Sequence, residues 1–175
     1  MKSKGFSLVS NPQNRHGNLI VNEHYLFHGT KQEFIDKIVN EGLDSRIAND
    51  QAMLGPGIYA SESPTKADQY TDTKGQRTGG NKTMMLMRVL LGEPFISKSG
   101  NPTKYKRAPC KKCFQDRCAC KNNECFDSVI DDAGRNFREF VVYSQDMCYP
   151  EYIIHYQRVN LHQMMRVLCG KACKL

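Results

Sequence analysis

Three kinds of side chain in this sequence stand at spacings that could do chemistry. The densest is sulfur. The stretch "CKKCFQDRCACKNNEC" holds Cys110, Cys113, Cys118, Cys120 and Cys125. A Cys-x2-Cys pair has zinc-knuckle spacing, because thiolates are good ligands for a tetrahedral zinc ion. A second pair could come from Cys118 or Cys120 with Cys125, and Cys110, Cys113, Cys120 and Cys125 form the candidate set. The plainer alternative is reduced thiols on a loop. The second is a histidine at the end of an apolar run, in "YLFHGT". Gly29 beside His28 permits close approach to the backbone, and Thr30 offers a hydroxyl where a helix could start. The third is a carboxylate, Glu139 in "REFVVY", placed before a β-branched run and so at the start of a strand.

The elements that must position these groups are short. "KQEFIDKIVNEGL" puts Phe34, Ile35, Ile38 and Val39 at helical spacing, with Gly42 placed to end the helix. "DSRIANDQAMLGPG" is a polar loop closing on a Gly-Pro-Gly turn, and "IYAS" is strand-like. "ESPTKADQY" opens on a Ser-Pro helix start and predicts about two turns. "TMMLMRVLLG" is the strongest strand pattern, and "EFVVY" and "PEYIIHYQRV" add two more. Between Gly92 and Cys125 there is no clear periodicity, and a loop of that length in a compact domain is usually functional, stapled or disordered. The coarse class is α+β.

The 175 residues suit one domain with one core. The net charge of +7 is local: residues 98–121 carry eight Lys or Arg against one Asp, and the rest of the chain is neutral. That segment suits an acidic partner or phosphates. No apolar run reaches the roughly 18 residues of a membrane helix, and the N-terminus is too polar for a signal-peptide core. A cytoplasmic or nuclear location, with reduced thiols, is expected.

In order along the chain, "LFHGT", "MLGPGIYAS", "SPTKADQY", "MMLMRVLLG", "REFVVY" and "YPEYIIHY" resemble the catalytic domain of the poly(ADP-ribose) polymerase family. The resemblance runs from about Glu23 to Arg158. It implies the family's split antiparallel β-sandwich with a few short helices, and an NAD site lined by a His, a Tyr and a Glu, here His28, Tyr59 and Glu139. The expected organisation is an N-terminal extension over 1–22, the transferase domain over 23–160 and a tail over 161–175. The basic, Cys-rich segment of about 98–125 would be the acceptor loop.

The resemblance assigns roles. His28 would bond the adenosine ribose through one ring nitrogen while the protein holds the other. Gly29 would present its backbone to the nicotinamide carboxamide, with Thr30 beside it. Tyr59 and Tyr70 would wall the nicotinamide slot, Lys66 would lie near the nicotinamide ribose, and Arg46 would reach the adenosine end. Glu139 would stabilise positive charge on the ribose as the glycosidic bond breaks and orient the incoming acceptor. The expected reaction is transfer of ADP-ribose from NAD to a protein side chain, with nicotinamide released. Acidic protein acceptors suit the basic loop. Nucleic acid is a further partner that the loop would admit and the reaction does not require.

Two departures qualify the likeness. Ala67 stands where the polymerase branch carries a Ser that bonds the carboxamide, a loss of about 0.5–1.5 kcal/mol or a factor of roughly 2 to 13 in affinity. With about 22 residues ahead of the first motif, no regulatory helical bundle is expected there, which resembles the tankyrase-like and mono-transferase branches. A Glu at position 139 permits chain elongation, whereas "CFDSVIDD" looks more like a mono-transferase, so chain length stays open. Tankyrases carry a zinc site in a different loop. Two other readings stand beside the enzyme: an inactive transferase-like module that binds ADP-ribose or nucleic acid, and a zinc-stabilised nucleic-acid binder.

Overall fold

The computed structural model describes residues 22–45, 52–73, 76–98, 104–120, 124–134 and 136–159. The N-terminal extension up to residue 21, Arg46 and the C-terminal tail lie outside the described residues. In chain order the elements are β1 (Glu23–Gly29), α1 (Ile35–Glu41), β2 (Ile58–Ala60), α2 (Pro64–Asp68), β3 (Gly80–Leu90), β4 (Pro94–Ser97), β5 (Ser128–Asp131), β6 (Glu139–Val142) and β7 (Cys148–Arg158). They form two sheets, ordered β1-β3-β7 and β2-β6-β5-β4. The α+β expectation holds. Pairing is antiparallel throughout except for β4 with β5, which run parallel. That pair joins residues some thirty positions apart through the basic segment, a span that a hairpin does not need and a parallel connection does.

The core lies between the sheets. Leu26, Met85, Met87 and Val89 of the first meet Ile58, Ala60, Ile130, Phe140 and Val142 of the second, with Ile35 of α1 closing the edge. Each such side chain contributes about 1.5–3 kcal/mol when fully buried. Residues in a strand alternate between faces. Phe140 and Val142 therefore point to this core, while Val141 joins a second cluster with Leu54, Tyr105 and Val129. Because β6 is covered on both faces, its sequence reads as a continuous apolar run rather than an alternating one.

α1 is preceded by a 3-10 turn over Gln32–Phe34, capped by Lys31 without a side-chain bond. Thr30 is therefore not the helix cap that its hydroxyl suggested. Of the four apolar positions at helical spacing, Ile35 is buried and Ile38 packs on the core, but Phe34 and Val39 are exposed. Gly42 ends the helix at φ +82°, its N–H donating to the Ile38 carbonyl at 2.8 Å. The Ser-Pro start of α2 is present, with Ser63 as N-cap and Pro64 in the first turn, though the helix spans five residues rather than two turns.

One contact between sheets decides where the site forms. Phe27 and Ser61 exchange both backbone hydrogen bonds, at 2.7 and 2.9 Å. This isolated bridge lays the end of β1 beside the end of β2, and so brings "HGT" next to "IYAS".

Candidate active site

At that junction an open recess of about 200 Å³ is lined by His28, Gly29, Tyr59, Lys66, Ala67, Tyr70 and Glu139, together with Phe27, Ala52, Gly57, Ala60 and Ser61. His28 comes from β1, Tyr59 from β2, Glu139 from β6, and Lys66 and Ala67 from α2. Thr30 is half-buried but lies outside the lining.

His28 is held through one nitrogen. Its Nδ1 donates to the Tyr59 carbonyl at 2.7 Å. A carbonyl only accepts, so neutral His28 carries its proton on Nδ1 and keeps Nε2 as an acceptor. Burial lowers its pKa below the ordinary 6.5, partly offset by the bond to Tyr59, which favours the neutral ring near physiological pH.

The Tyr59 hydroxyl is also fixed. It accepts from the Leu54 N–H and donates to the Gly55 carbonyl, both at 2.8 Å. The ring thus forms a wall with its polar end tied to the preceding loop, and burial raises the phenol far above its ordinary value.

Glu139 opens β6, on the face it shares with Val141, and is 4% exposed. Its Oε1 accepts from the Tyr70 hydroxyl at 3.2 Å and pairs with Lys66 Nζ at 3.2 Å. A buried carboxylate needs such partners to stay ionised. Lys66 also lies 5.4 Å from the Tyr70 ring centroid, over its face. Burial opposes the charge on Lys66, but the Glu139 carboxylate and Tyr70 prevail and raise its pKa. The phenol of Tyr70 rises through burial and the nearby carboxylate.

The helix that carries Lys66 is pinned at both flanks. A Cβ at Gly29 would stand 1.7 Å from the Ala67 carbonyl oxygen, so β1 and α2 can approach this closely only with glycine there. Below α2, Arg158 of β7 bonds Asp68 Oδ1 at 2.7 Å and the Asp68 carbonyl at 3.1 Å, and pairs with Asp72. Tyr156 adds a bond to Asp68, and Lys82 one to Asp72. Burial would raise the Asp68 carboxyl, but its bonds to Arg158 and Tyr156 hold it below the ordinary range.

Sequence reasoning missed Phe27, Ala52, Gly57, Ala60 and Ser61. These contribute small side chains or backbone rather than chemistry, and only the Gly-Pro-Gly turn announced such a surface. Ser61 had a readable role: its hydroxyl donates to the Arg138 carbonyl at 2.8 Å, bracing the residue before Glu139.

The cysteines converge differently from the sequence-derived set. Among the described residues, the sulfur atoms of Cys110, Cys113, Cys118 and Cys120 lie within 4.8 Å of one another, a group that could hold a metal ion. Cys118 takes the place expected for Cys125. Cys125 forms a backbone bridge with Cys110 that closes the segment, but its sulfur is not one of the four.

A His, a Tyr and a Glu on three strands surround one recess of a two-sheet α+β fold, with a Lys from a short helix and a second Tyr just past the end of that helix. The poly(ADP-ribose) polymerase catalytic domain matches residues 9–158, and the chain belongs to that family. It is 31% identical over 145 residues to the human protein mono-ADP-ribosyltransferase PARP12, covering 82% of this chain and 18% of that protein. It is 30% identical over 155 residues to mouse protein mono-ADP-ribosyltransferase PARP11, covering 78% of this chain and 43% of that protein. The chain thus spans less than half the length of these curated relatives. No helix among the described residues is long and apolar enough to cross a membrane.

Proposed function

We propose that this domain transfers ADP-ribose from NAD to protein side chains. The observation that carries the reading is the convergence of His28, Tyr59 and Glu139 on one recess of a chain that belongs to the polymerase family. NAD needs a hydrogen-bond acceptor for a ribose hydroxyl, aromatic walls for a flat ring and open backbone for an amide. The acceptor nitrogen Nε2 of His28, the rings of Tyr59 and Tyr70, and the bare backbone at Gly29 supply them in one place. Arg46 would reach the adenosine end of the dinucleotide.

In the reaction the bond between the nicotinamide nitrogen and the ribose carbon breaks. Its electron pair passes to the ring nitrogen, and nicotinamide leaves neutral. Positive charge develops on the ribose. Glu139 stabilises it electrostatically, in a recess where its own position is set by Lys66 and Tyr70. The acceptor side chain then bonds the ribose carbon and gives up its proton, and Glu139 is placed to orient the acceptor or receive that proton. The basic segment supports acidic protein surfaces as acceptors, since Lys106, Lys112 and Arg117 are all exposed.

Incubation with NAD labelled in its adenylate half tests the reading. Label fixed to protein, with nicotinamide released in equal amount, is the expected result. One band means single transfer, as the relatives' names suggest, and a ladder means elongation, which a Glu at position 139 permits. Stabilisation by ADP-ribose without any transfer would favour the binding-module reading instead.

A further inference from the structure

Residues 104–126 hold no helix and no named strand among the described positions, yet they bury Tyr105, Ala108, Pro109 and Cys110. Something must offset the entropy of ordering such a segment. Aromatic packing supplies part: Phe114 lies 6.3 Å from Phe126 and 5.9 Å from Phe95, centroid to centroid. The remainder points to the four sulfurs.

Sulfur atoms bound to one zinc at about 2.3 Å would stand about 3.8 Å apart at the corners of a tetrahedron. Those of Cys110, Cys113, Cys118 and Cys120 already lie within 4.8 Å of one another, and none of them is in a disulfide. Two disulfides would need each sulfur to close on a single partner at about 2 Å. Four mutually adjacent sulfurs describe a common centre instead.

The backbone gives a second, independent observation. From Cys110 the chain makes a tight turn in which the Phe114 N–H donates to the Cys110 carbonyl at 2.8 Å. Inside it, the Lys112 N–H is aimed at Cys110 Sγ at 3.4 Å. Phe114 sits at φ +58°, the left-handed region, and is the only described non-glycine residue there. For a bulky side chain this conformation is strained, and such strain persists only where the surroundings over-determine it. The turn swings Cys113 back toward Cys110, so both sulfurs of the Cys-x2-Cys pair face the second pair. Charge is also matched. Four thiolates and one Zn2+ leave a net charge of −2, set in a stretch that carries Lys111, Lys112 and Arg117.

We infer that Cys110, Cys113, Cys118 and Cys120 form a structural zinc site that staples the basic segment beside the recess. The staple connects to the recess through short steps. The Tyr105 N–H donates to the Leu54 carbonyl at 3.1 Å, and the Leu54 N–H donates to the Tyr59 hydroxyl at 2.8 Å. Gly55 packs so tightly on Tyr105 that a Cβ there would meet its carbonyl oxygen at 2.0 Å. Metal at the cluster thus fixes the ground against which the Tyr59 wall is held. The zinc assignment stands whether or not the domain transfers ADP-ribose.

The test uses the whole chain, purified reduced and without added metal. Metal analysis should find about one zinc per chain. After chelation, Co2+ titrated as a probe should give the intense visible bands and sulfur-to-metal charge transfer of a tetrahedral thiolate site, saturating at one ion. Cys125→Ser should keep the full signal, and Cys118→Ser should reduce it to background. Circular dichroism of each variant separates loss of ligand from loss of fold. If Cys118→Ser does not fold, the wild-type stoichiometry and the Cys125→Ser arm decide alone. Two results would overturn the inference: no metal and no tetrahedral spectrum in the folded wild type, or equal loss in Cys125→Ser.

Discussion

Lys66 Nζ stands 3.2 Å from Glu139 Oε1, and the Tyr70 hydroxyl bonds the same oxygen from 3.2 Å. A helix one turn long therefore sets the carboxylate on which the proposed chemistry depends. The lysine depends on that carboxylate in return. Burial lowers its pKa, and Glu139 with Tyr70 more than reverses this. Glu139→Gln leaves the burial and removes the main attraction. The Lys66 ammonium should then titrate at lower pH than in the wild type, as read by NMR of its Cε. An unchanged titration would mean that the pair does not form in solution.

Gly29→Ala should be the most damaging small substitution at the site. Its Cβ would fall 1.7 Å from the Ala67 carbonyl oxygen, which belongs to backbone and cannot step aside. Overpacking of this kind costs about 1–3 kcal/mol. Gly57→Ala meets a buried Val141 methyl at 2.5 Å and backbone no nearer than the Val142 carbonyl oxygen at 3.1 Å, a smaller overlap that should cost less. The two denaturation midpoints in urea give the order directly.

Acid should weaken the fold through its histidines before its carboxylates. His28 titrates below 6.5 in the folded chain, so the unfolded chain takes up the proton first as pH falls. The stability this group contributes is complete above 6.5 and is lost as pH drops from there toward the folded value. His24 acts in the same window, lowered by burial and by the Arg138 guanidinium. Asp68 is held below 3.8, so its contribution persists above that value and goes only at lower pH. Melting temperature should fall as pH drops below 6.5, and the fall should be smaller in His28→Gln. NAD affinity, which uses the neutral ring, should stay level as pH passes down through 6.5.

Ala67 lines the recess and is 3% exposed. Ala67→Ser restores the hydroxyl that the polymerase branch presents to the nicotinamide carboxamide. One added hydrogen bond should tighten NAD binding by roughly 2- to 13-fold, measurable by calorimetry. Unchanged or weaker affinity would place the carboxamide elsewhere.

The site was more legible in the sequence than the segment beside it. β1, β3, β6 and β7 announced themselves as apolar or β-branched runs, and the ends of β1 and β6 carry His28 and Glu139 into the recess. What stayed hidden depended on distant pairing. β4 and β5 are four residues each, and neither is a strand until the other lies beside it. Cys118 and Cys125 are equally plausible ligands by spacing alone. Only the folded segment shows that the sulfur of Cys118 joins those of Cys110, Cys113 and Cys120. Thr30 fits a helix start by type, but a 3-10 turn intervenes and moves the cap to Lys31. The burial of Glu139 could not be read either, because a strand-start glutamate is usually solvated; here Tyr70 and Lys66, sixty-nine and seventy-three positions away, shield and pair it.

The most direct test compares the wild-type chain with Glu139→Gln, each given labelled NAD, while thermal stabilisation by NAD is measured on both. Binding and chemistry should separate: NAD stabilises both proteins, and label transfer falls by about 10²- to 10³-fold in the variant. Transfer by Glu139→Gln at the wild-type rate, with NAD bound equally well, would contradict the assignment of Glu139 and with it the proposed mechanism.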